Sequence, residues 1–89
     1  MDLQLKGKSV VVTGGNRGIG RGIALGFAAE GANVSIVGRD TGALARVKAE
    51  IEALGVKGNT VAADLFTAEG CSRAVDETAA AFGGVDVLV

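Results

Sequence analysis

The chain has 89 residues, of which 48% are apolar and 21% charged, and its formal net charge is −1. This balance predicts one small globular domain or part of a larger one, and it offers no attraction to nucleic acid or to an anionic membrane. One cysteine excludes an intrachain disulfide, no apolar stretch reaches the roughly 18 residues of a membrane span, and the amino terminus lacks the apolar core of a signal peptide. A soluble, cytoplasmic protein is therefore expected.

The first half of the chain alternates between strand-like and helix-like patterns. Val10–Thr13 is a short apolar run that predicts a strand, and Val34–Val37 predicts a second one. Between them, apolar residues recur every four positions up to Gly31, which predicts a helix that ends at a glycine. The apolar residues of this helix are Ile19, Ile23 and Phe27.

The second half continues the alternation. Asp40 or Thr41 can cap a second helix, which stops at Gly55. Thr60–Ala63 predicts a weaker third strand, and Val85–Val89 predicts a fourth, with Asp86 at its entry. A third helix is predicted before the fourth strand and closes at Gly83 and Gly84. The apolar face of the second helix is formed by Leu44, Val47, Ile51 and Leu54. The apolar face of the third helix is formed by Cys71, Ala74, Val75, Thr78, Ala79 and Phe82. On this face the Cys71 thiol is expected to be packed.

This βαβαβαβ order predicts an α/β fold, a Rossmann-like doubly wound parallel sheet with helices on both faces. Residues 1–89 are interpreted as the amino-terminal part of a single domain of this kind, with no second domain. Because the sequence stops inside an apolar strand, which leaves an open edge, we expect the sheet to be truncated after the fourth strand. The alternative is a naturally short protein that closes this edge by dimerising.

The segment TGGNRGIG, Thr13–Gly20, follows the first strand and leads into the first helix. Backbone N–H groups at such a helix start favour an anion, and phosphate is the natural candidate. Gly14 would permit the tight turn, Gly18 would let the backbone approach a pyrophosphate, and Gly20 would let the helix pack against the sheet. A glycine-rich connector without a ligand is the alternative.

The glycine spacing excludes two common nucleotide motifs. In a GxGxxG fingerprint that starts at Gly18, the third glycine position holds Ile23. A P-loop that starts at Gly15 has Arg21 and Gly22 where it requires lysine and a hydroxyl residue. The pattern that remains is Gly-x-x-x-Gly-x-Gly.

The sequence Thr13–Gly20 resembles the TGxxxGIG cofactor motif of the short-chain dehydrogenase/reductase family, and the resemblance continues through essentially the whole chain. Asp64-Leu65 after the third strand resembles members whose aspartate contacts the adenine ring. Asp86–Val89 is similar to the strand that precedes the family's NNAG motif. The resemblance implies cofactor contacts from Gly14, Asn16, Arg17, Gly18, Ile19, Gly20, Arg39, Asp64 and Leu65. For Asp64, a cap on the helix that starts near Thr67 is the alternative role.

The end of the second strand indicates which dinucleotide is preferred. The acidic residue that accepts hydrogen bonds from the ribose 2′-hydroxyl is replaced by Gly38, and Arg39 follows, whose guanidinium can bind a 2′-phosphate. The resemblance adds Arg17, at a position where NADP-preferring members carry a basic residue. NADP(H) is therefore expected over NAD(H), unless both arginines are simply solvated or Asp40 neutralises Arg39.

The resemblance implies an oxidoreductase that transfers hydride between NADP(H) and a small carbonyl or alcohol substrate, and whose full-length form is a homo-oligomer. The family's catalytic asparagine, serine, tyrosine and lysine would lie beyond Val89, and the chain contains no tyrosine or histidine. No catalytic residue and no metal site is predicted, and this chain alone is expected to be inactive. The alternatives are a noncatalytic dinucleotide-binding or assembly module and a nonfunctional fragment.

Overall fold

The computed structural model describes residues 5–14, 18–64 and 67–89, and within them strands and helices alternate along the chain. In chain order the elements are β1 Ser9–Thr13, α1 Gly18–Ala29, β2 Asn33–Gly38, α2 Thr41–Ala53, β3 Gly58–Ala62, α3 Ala68–Phe82 and β4 Val87–Leu88. The strands form one parallel sheet in the order β3-β2-β1-β4. The predicted α/β, Rossmann-like fold is confirmed.

The alternation of side chains along the strands places helices on both faces of the sheet. Val10 and Val12 of β1 point to a core shared with α1 and α2, whereas Val11 points to a second core shared with α3. The first core is larger. Its buried members are Val10, Val12, Ala24, Ala28, Ala32, Val34, Ile36, Leu44, Val47 and Ile51.

The helix boundaries follow the capping signals in the sequence. Of the two predicted caps of α2, Asp40 is the residue that caps the helix, because its carboxylate accepts a hydrogen bond of 3.1 Å from the amide of Ala43. Gly83 ends α3 in the left-handed conformation, with φ of +88°, and its amide donates to the carbonyl of Ala79. No helix among the described residues has the length and hydrophobicity needed to cross a bilayer.

All four strands differ in extent from the prediction. β1 begins one residue earlier, and β2 is one residue longer at each end. The differences at β3 and β4 are larger. β3 begins at Gly58, two residues earlier than expected, because the backbone pairs with β2 from Val34 opposite Gly58 onward regardless of side-chain polarity. β4 covers only Val87–Leu88 of the predicted Val85–Val89. Asp86 precedes it, and its carboxylate accepts a 2.8 Å hydrogen bond from the amide of Ser9, which fixes the start of β4 against β1.

The prediction that Cys71 is packed is wrong: its side chain is exposed. α3 contacts the sheet through residues four positions apart, Gly70, Ala74 and Thr78, so that Cys71 and Val75 lie at the side of this contact. They border a groove of 340 Å³ beside β4, which is one of the two edge strands of the described sheet. The apolar pattern of α3 is wider than the face that the described sheet covers.

Candidate functional site

The carboxyl ends of β1, β2 and β3 lie side by side at one edge of the sheet. Beyond the strand pairing, the Gly14 amide donates to the Val37 carbonyl at 2.8 Å, and the Ala63 amide donates to the Gly38 carbonyl at 3.0 Å. Neighbouring strands in a sheet are about 5 Å apart, so residues after β1 and after β3 are separated by about 10 Å across this edge. Ligands of open α/β sheets bind at such an edge.

Gly14 follows β1, and Gly18 is the first residue of α1. Gly14 has φ of +66°, a conformation that residues with a side chain rarely adopt, and α1 begins at Gly18. Adjacent residues and the backbone of α1 aside, no atom of the described residues lies within 4 Å of where a Cβ would stand at Gly14 or Gly18. The described residues therefore leave space for a group such as a phosphate to approach the backbone of these two glycines.

The start of α1 has the electrostatic character of an anion site. Its first turn contains no acidic side chain, so no carboxylate of that turn neutralises the positive end of the helix dipole. Ile19 is 84% exposed, and Gly20 is half-buried. Such an exposed isoleucine provides an apolar surface beside the turn for a ligand to cover.

β2 ends in a glycine, and an arginine follows it. Gly38 has no side chain, and Arg39 is exposed. The carboxylate of Asp40 is used as the cap of α2, through its bond to Ala43. The structure thus gives this carboxylate a role of its own, and it leaves the Arg39 guanidinium accessible at the strand end.

At the end of β3, Asp64 adjoins the start of α3. The cap of α3 is Thr67, whose hydroxyl accepts from the Gly70 amide at 3.0 Å, so the alternative role of Asp64 as that cap is wrong. The same hydroxyl donates to the backbone carbonyl of Asp64 at 3.0 Å. Asp64 is therefore held at the sheet edge through its backbone.

The structure brings most of the sequence-predicted residues to this one edge. Gly14, Gly18, Ile19 and Gly20 follow β1, Arg39 follows β2, and Asp64 follows β3. The remaining predicted residues, Asn16, Arg17 and Leu65, lie outside the described residues.

Arg21 forms an ion pair with Glu50 that ties α1 to α2. The hydrogen bonds from Arg21 lower the pKa of the Glu50 carboxyl below its ordinary value, and the Glu50 carboxylate raises the pKa of Arg21. Both side chains are partly exposed. Arg21 is thus directed toward α2, and Arg39 is the arginine that the described residues present at the sheet edge.

Sequence reasoning missed Thr67 and Gly70. A threonine before a helical pattern is a recognisable capping signal, so Thr67 could have been found. Gly70 had no such signal, because the need for a glycine inside α3 arises from its contact with Asp64, which only the folded chain shows.

Comparisons with known proteins agree with this architecture. The sequence profile described as short chain dehydrogenase matches residues 8–89. General stress protein 39 of Bacillus subtilis is 41% identical over 87 residues, an alignment that covers 97% of this chain and 30% of that protein. The chain thus spans about a third of the length of the curated relatives it matches.

Solved structures are similar over nearly the whole chain. L-Sorbose reductase from Gluconobacter frateurii, complexed with NADPH and L-sorbose, superposes with a TM-score of 0.93 at 40% identity, covering 99% of this chain and 34% of that one. A xylitol dehydrogenase with bound NAD⁺ superposes with a TM-score of 0.90 at 29% identity, covering 96% of this chain and 33% of that one. Both dinucleotides therefore occur among structurally similar proteins.

Proposed function

Because this chain belongs to the short chain dehydrogenase family, we propose that it forms the NADP(H)-binding portion of an oxidoreductase acting on a small carbonyl or alcohol substrate. The dinucleotide, when bound, supplies the hydride chemistry, and the protein binds and orients it. The observation that carries the proposal is the edge where β1, β2 and β3 end together, with a glycine, an exposed arginine and an aspartate following the strands in that order.

The turn after β1 is proposed to hold the pyrophosphate. Gly14 and Gly18 border open space among the described residues, and the first turn of α1, where a helix favours an anion, carries no competing carboxylate. Ile19 would cover part of the dinucleotide with its exposed side chain. Asn16 and Arg17 complete this part of the proposal by their place in the TGxxxGIG motif.

Arg39 is proposed to bind the 2′-phosphate of NADP(H). A guanidinium can donate two parallel hydrogen bonds to a phosphate, whereas a carboxylate at this point would repel it. Gly38 contributes no side chain beside it, and the Asp40 carboxylate accepts a hydrogen bond from the Ala43 amide. The NADPH-complexed sorbose reductase, at 40% identity, supports this preference, whereas the xylitol dehydrogenase, with bound NAD⁺, is 29% identical.

Asp64 is proposed to accept a hydrogen bond from the 6-amino group of adenine, with Leu65 next to the ring. The end of β3 lies about two strand spacings from the turn after β1, on the side of Arg39 away from that turn. This order supports a bound dinucleotide whose pyrophosphate, ribose and adenine lie successively along the edge. The carboxylate is thus suited to distinguish adenine from a base with an oxygen at that position.

The test is a titration of the purified protein with NADPH and with NADH, followed by fluorescence. Arg39→Ala is expected to weaken NADPH binding by about 10-fold or more, the loss typical of charge-assisted hydrogen bonds, and to change NADH binding little. Gly38→Asp is expected to reverse the preference. Arg46→Ala, an exposed arginine on α2, is the matched control. If the ratio of the two affinities is the same in wild type, Arg39→Ala and Gly38→Asp, the assignment of the 2′-phosphate to Arg39 is wrong.

A further inference from the structure

Gly70, the third residue of α3, is in contact with the backbone of Asp64. A Cβ added at Gly70 would overlap the Asp64 carbonyl oxygen and would stand 2.6 Å from the Asp64 carbonyl carbon and 3.0 Å from Oγ1 of Thr67. The first two atoms belong to the backbone, so no rotation of a side chain can relieve the overlap. Any residue other than glycine therefore requires the chain at Asp64 to move away from α3.

Hydrogen bonds hold Asp64 in the same place. The Thr67 hydroxyl donates to the Asp64 carbonyl and accepts from the Gly70 amide, each at 3.0 Å. On the other side, Ala63 is bonded to the Gly38 carbonyl at the end of β2. Asp64 is thus fixed between the sheet edge and the first turn of α3.

We propose that Gly70 and Thr67 are positioning residues of the cofactor site, which set the place of Asp64 and through it the selection of adenine. The inference rests on the proposed function, since it assigns Asp64 to the adenine 6-amino group. Gly70 permits the close approach of the Asp64 backbone, and the Thr67 hydroxyl holds it there. Neither residue touches the dinucleotide itself.

The test compares NADPH with its analogue in which hypoxanthine replaces adenine, so that a carbonyl oxygen takes the place of the 6-amino group. Wild type is expected to bind NADPH about tenfold more tightly than the analogue. Gly70→Ala is expected to reduce this ratio to about twofold or less, and to leave the ratio of NADPH to NADH affinity unchanged because Arg39 follows a different strand. Gly26→Ala, at an exposed position of α1 with open space for a Cβ, is the matched control.

A second pair of variants tests the same positioning without adding volume. Thr67→Val replaces the hydroxyl by a methyl group of similar size and is expected to lose the discrimination against the analogue. Thr67→Ser keeps the hydroxyl and is expected to retain it. This pair keeps the proposal testable if Gly70→Ala does not fold.

The outcomes separate this inference from the proposed function. If Gly70→Ala and Thr67→Val discriminate as well as wild type, the positioning role is overturned and the cofactor assignment stands. If wild type binds NADPH and the analogue equally, the adenine contact of Asp64, and the positioning role with it, are overturned, while NADPH binding stands. If wild type binds neither NADPH nor NADH, the proposed function itself fails. In that case the positioning role is tested in the ligand-free protein, by comparing the chemical shift of the Asp64 backbone amide in wild type and in Gly70→Ala. An unchanged shift would overturn the positioning role as well.

Discussion

The hydroxyl oxygen of Thr78 in α3 lies 2.8 Å from that of Ser35 in β2, and both side chains are fully buried. The Thr78 hydroxyl is also bonded to the carbonyl of Ala74 at 2.7 Å, and the side-chain amide of Asn59 donates to Ser35 at 3.1 Å. Since the Ala74 carbonyl can only accept, Thr78 donates its one hydrogen there and Ser35 supplies the hydrogen between the two hydroxyls. This chain of bonds joins α3 to the centre of the sheet.

Thr78→Val is expected to lower the free energy of unfolding by about 1–3 kcal/mol, because it leaves the buried Ser35 hydroxyl without an acceptor. Ser35→Ala is expected to cost less, since Thr78 keeps its bond to Ala74. The double variant is expected to lose less than the sum of the two, because it leaves no orphaned hydroxyl. Urea unfolding of the four proteins measures the coupling, and strictly additive losses would contradict the arrangement.

Gly83→Ala is expected to destabilise the protein by about 1 kcal/mol or more, because alanine is strained at positive φ. Gly84→Ala is the matched control. At both positions a Cβ would find no described atom within 4 Å, and of the two only Gly83 has positive φ, +88°. The difference therefore isolates backbone conformation from packing. Equal thermal midpoints for the two variants would show that α3 does not end in the left-handed conformation.

Asp40→Asn is expected to raise the preference for NADPH over NADH by up to about fivefold, because it removes a negative charge beside the Arg39 guanidinium. Asparagine caps helices about as well as aspartate, so stability should be nearly unchanged. The effect should shrink as salt is added. If wild type and Asp40→Asn have the same preference for NADPH over NADH in both low and high salt, Asp40 does not act on the proposed phosphate site. Asp40→Ala, in contrast, is expected to lose about 1 kcal/mol through the missing cap.

The Arg21–Glu50 ion pair predicts a pH-dependent contribution to stability. Because the pKa of the folded-state Glu50 carboxyl lies below its ordinary value of 4.5, the pair stabilises the protein above that pH and loses its effect as pH falls through the lowered folded-state pKa. The difference in urea midpoint between wild type and Glu50→Gln is therefore expected to be small but positive at pH 7, and to vanish at about pH 2.

Glu52→Gln is the control for the pH series, because it removes a charge from the same helix where no ion pair exists among the described residues. The difference in urea midpoint between wild type and Glu52→Gln should not show the decrease on acidification that is expected for Glu50→Gln. If the difference between wild type and Glu50→Gln instead grows as the pH falls, its pH dependence is opposite to the one expected of the ion pair. That result would show that the pair does not stabilise the protein.

The fold could be predicted because its main determinants are local. Alternation at β1 places Val11 on one face and Val10 and Val12 on the other, and the capping residue Asp40 is adjacent to the helix that it starts. The glycines at Gly14 and Gly18 also have a local cause, because a turn between a strand and a helix restricts the backbone conformation of the residues that form it. These features depend on neighbours in the chain, and periodicity and capping chemistry report them directly.

Contacts between distant segments were decided by the tertiary structure. Cys71 follows the apolar pattern of α3 and is nevertheless exposed, because the line of contact with the sheet runs through Gly70, Ala74 and Thr78. The Ser35–Thr78 bond joins residues 43 positions apart. Along the chain, Gly70 resembles any other glycine in a helix; it is the backbone of Asp64, folded against it, that excludes a side chain there. Local patterns thus determined which elements form. Tertiary packing decided which of their residues are buried and where the strand ends meet, because it depends on how segments far apart in the sequence fit together.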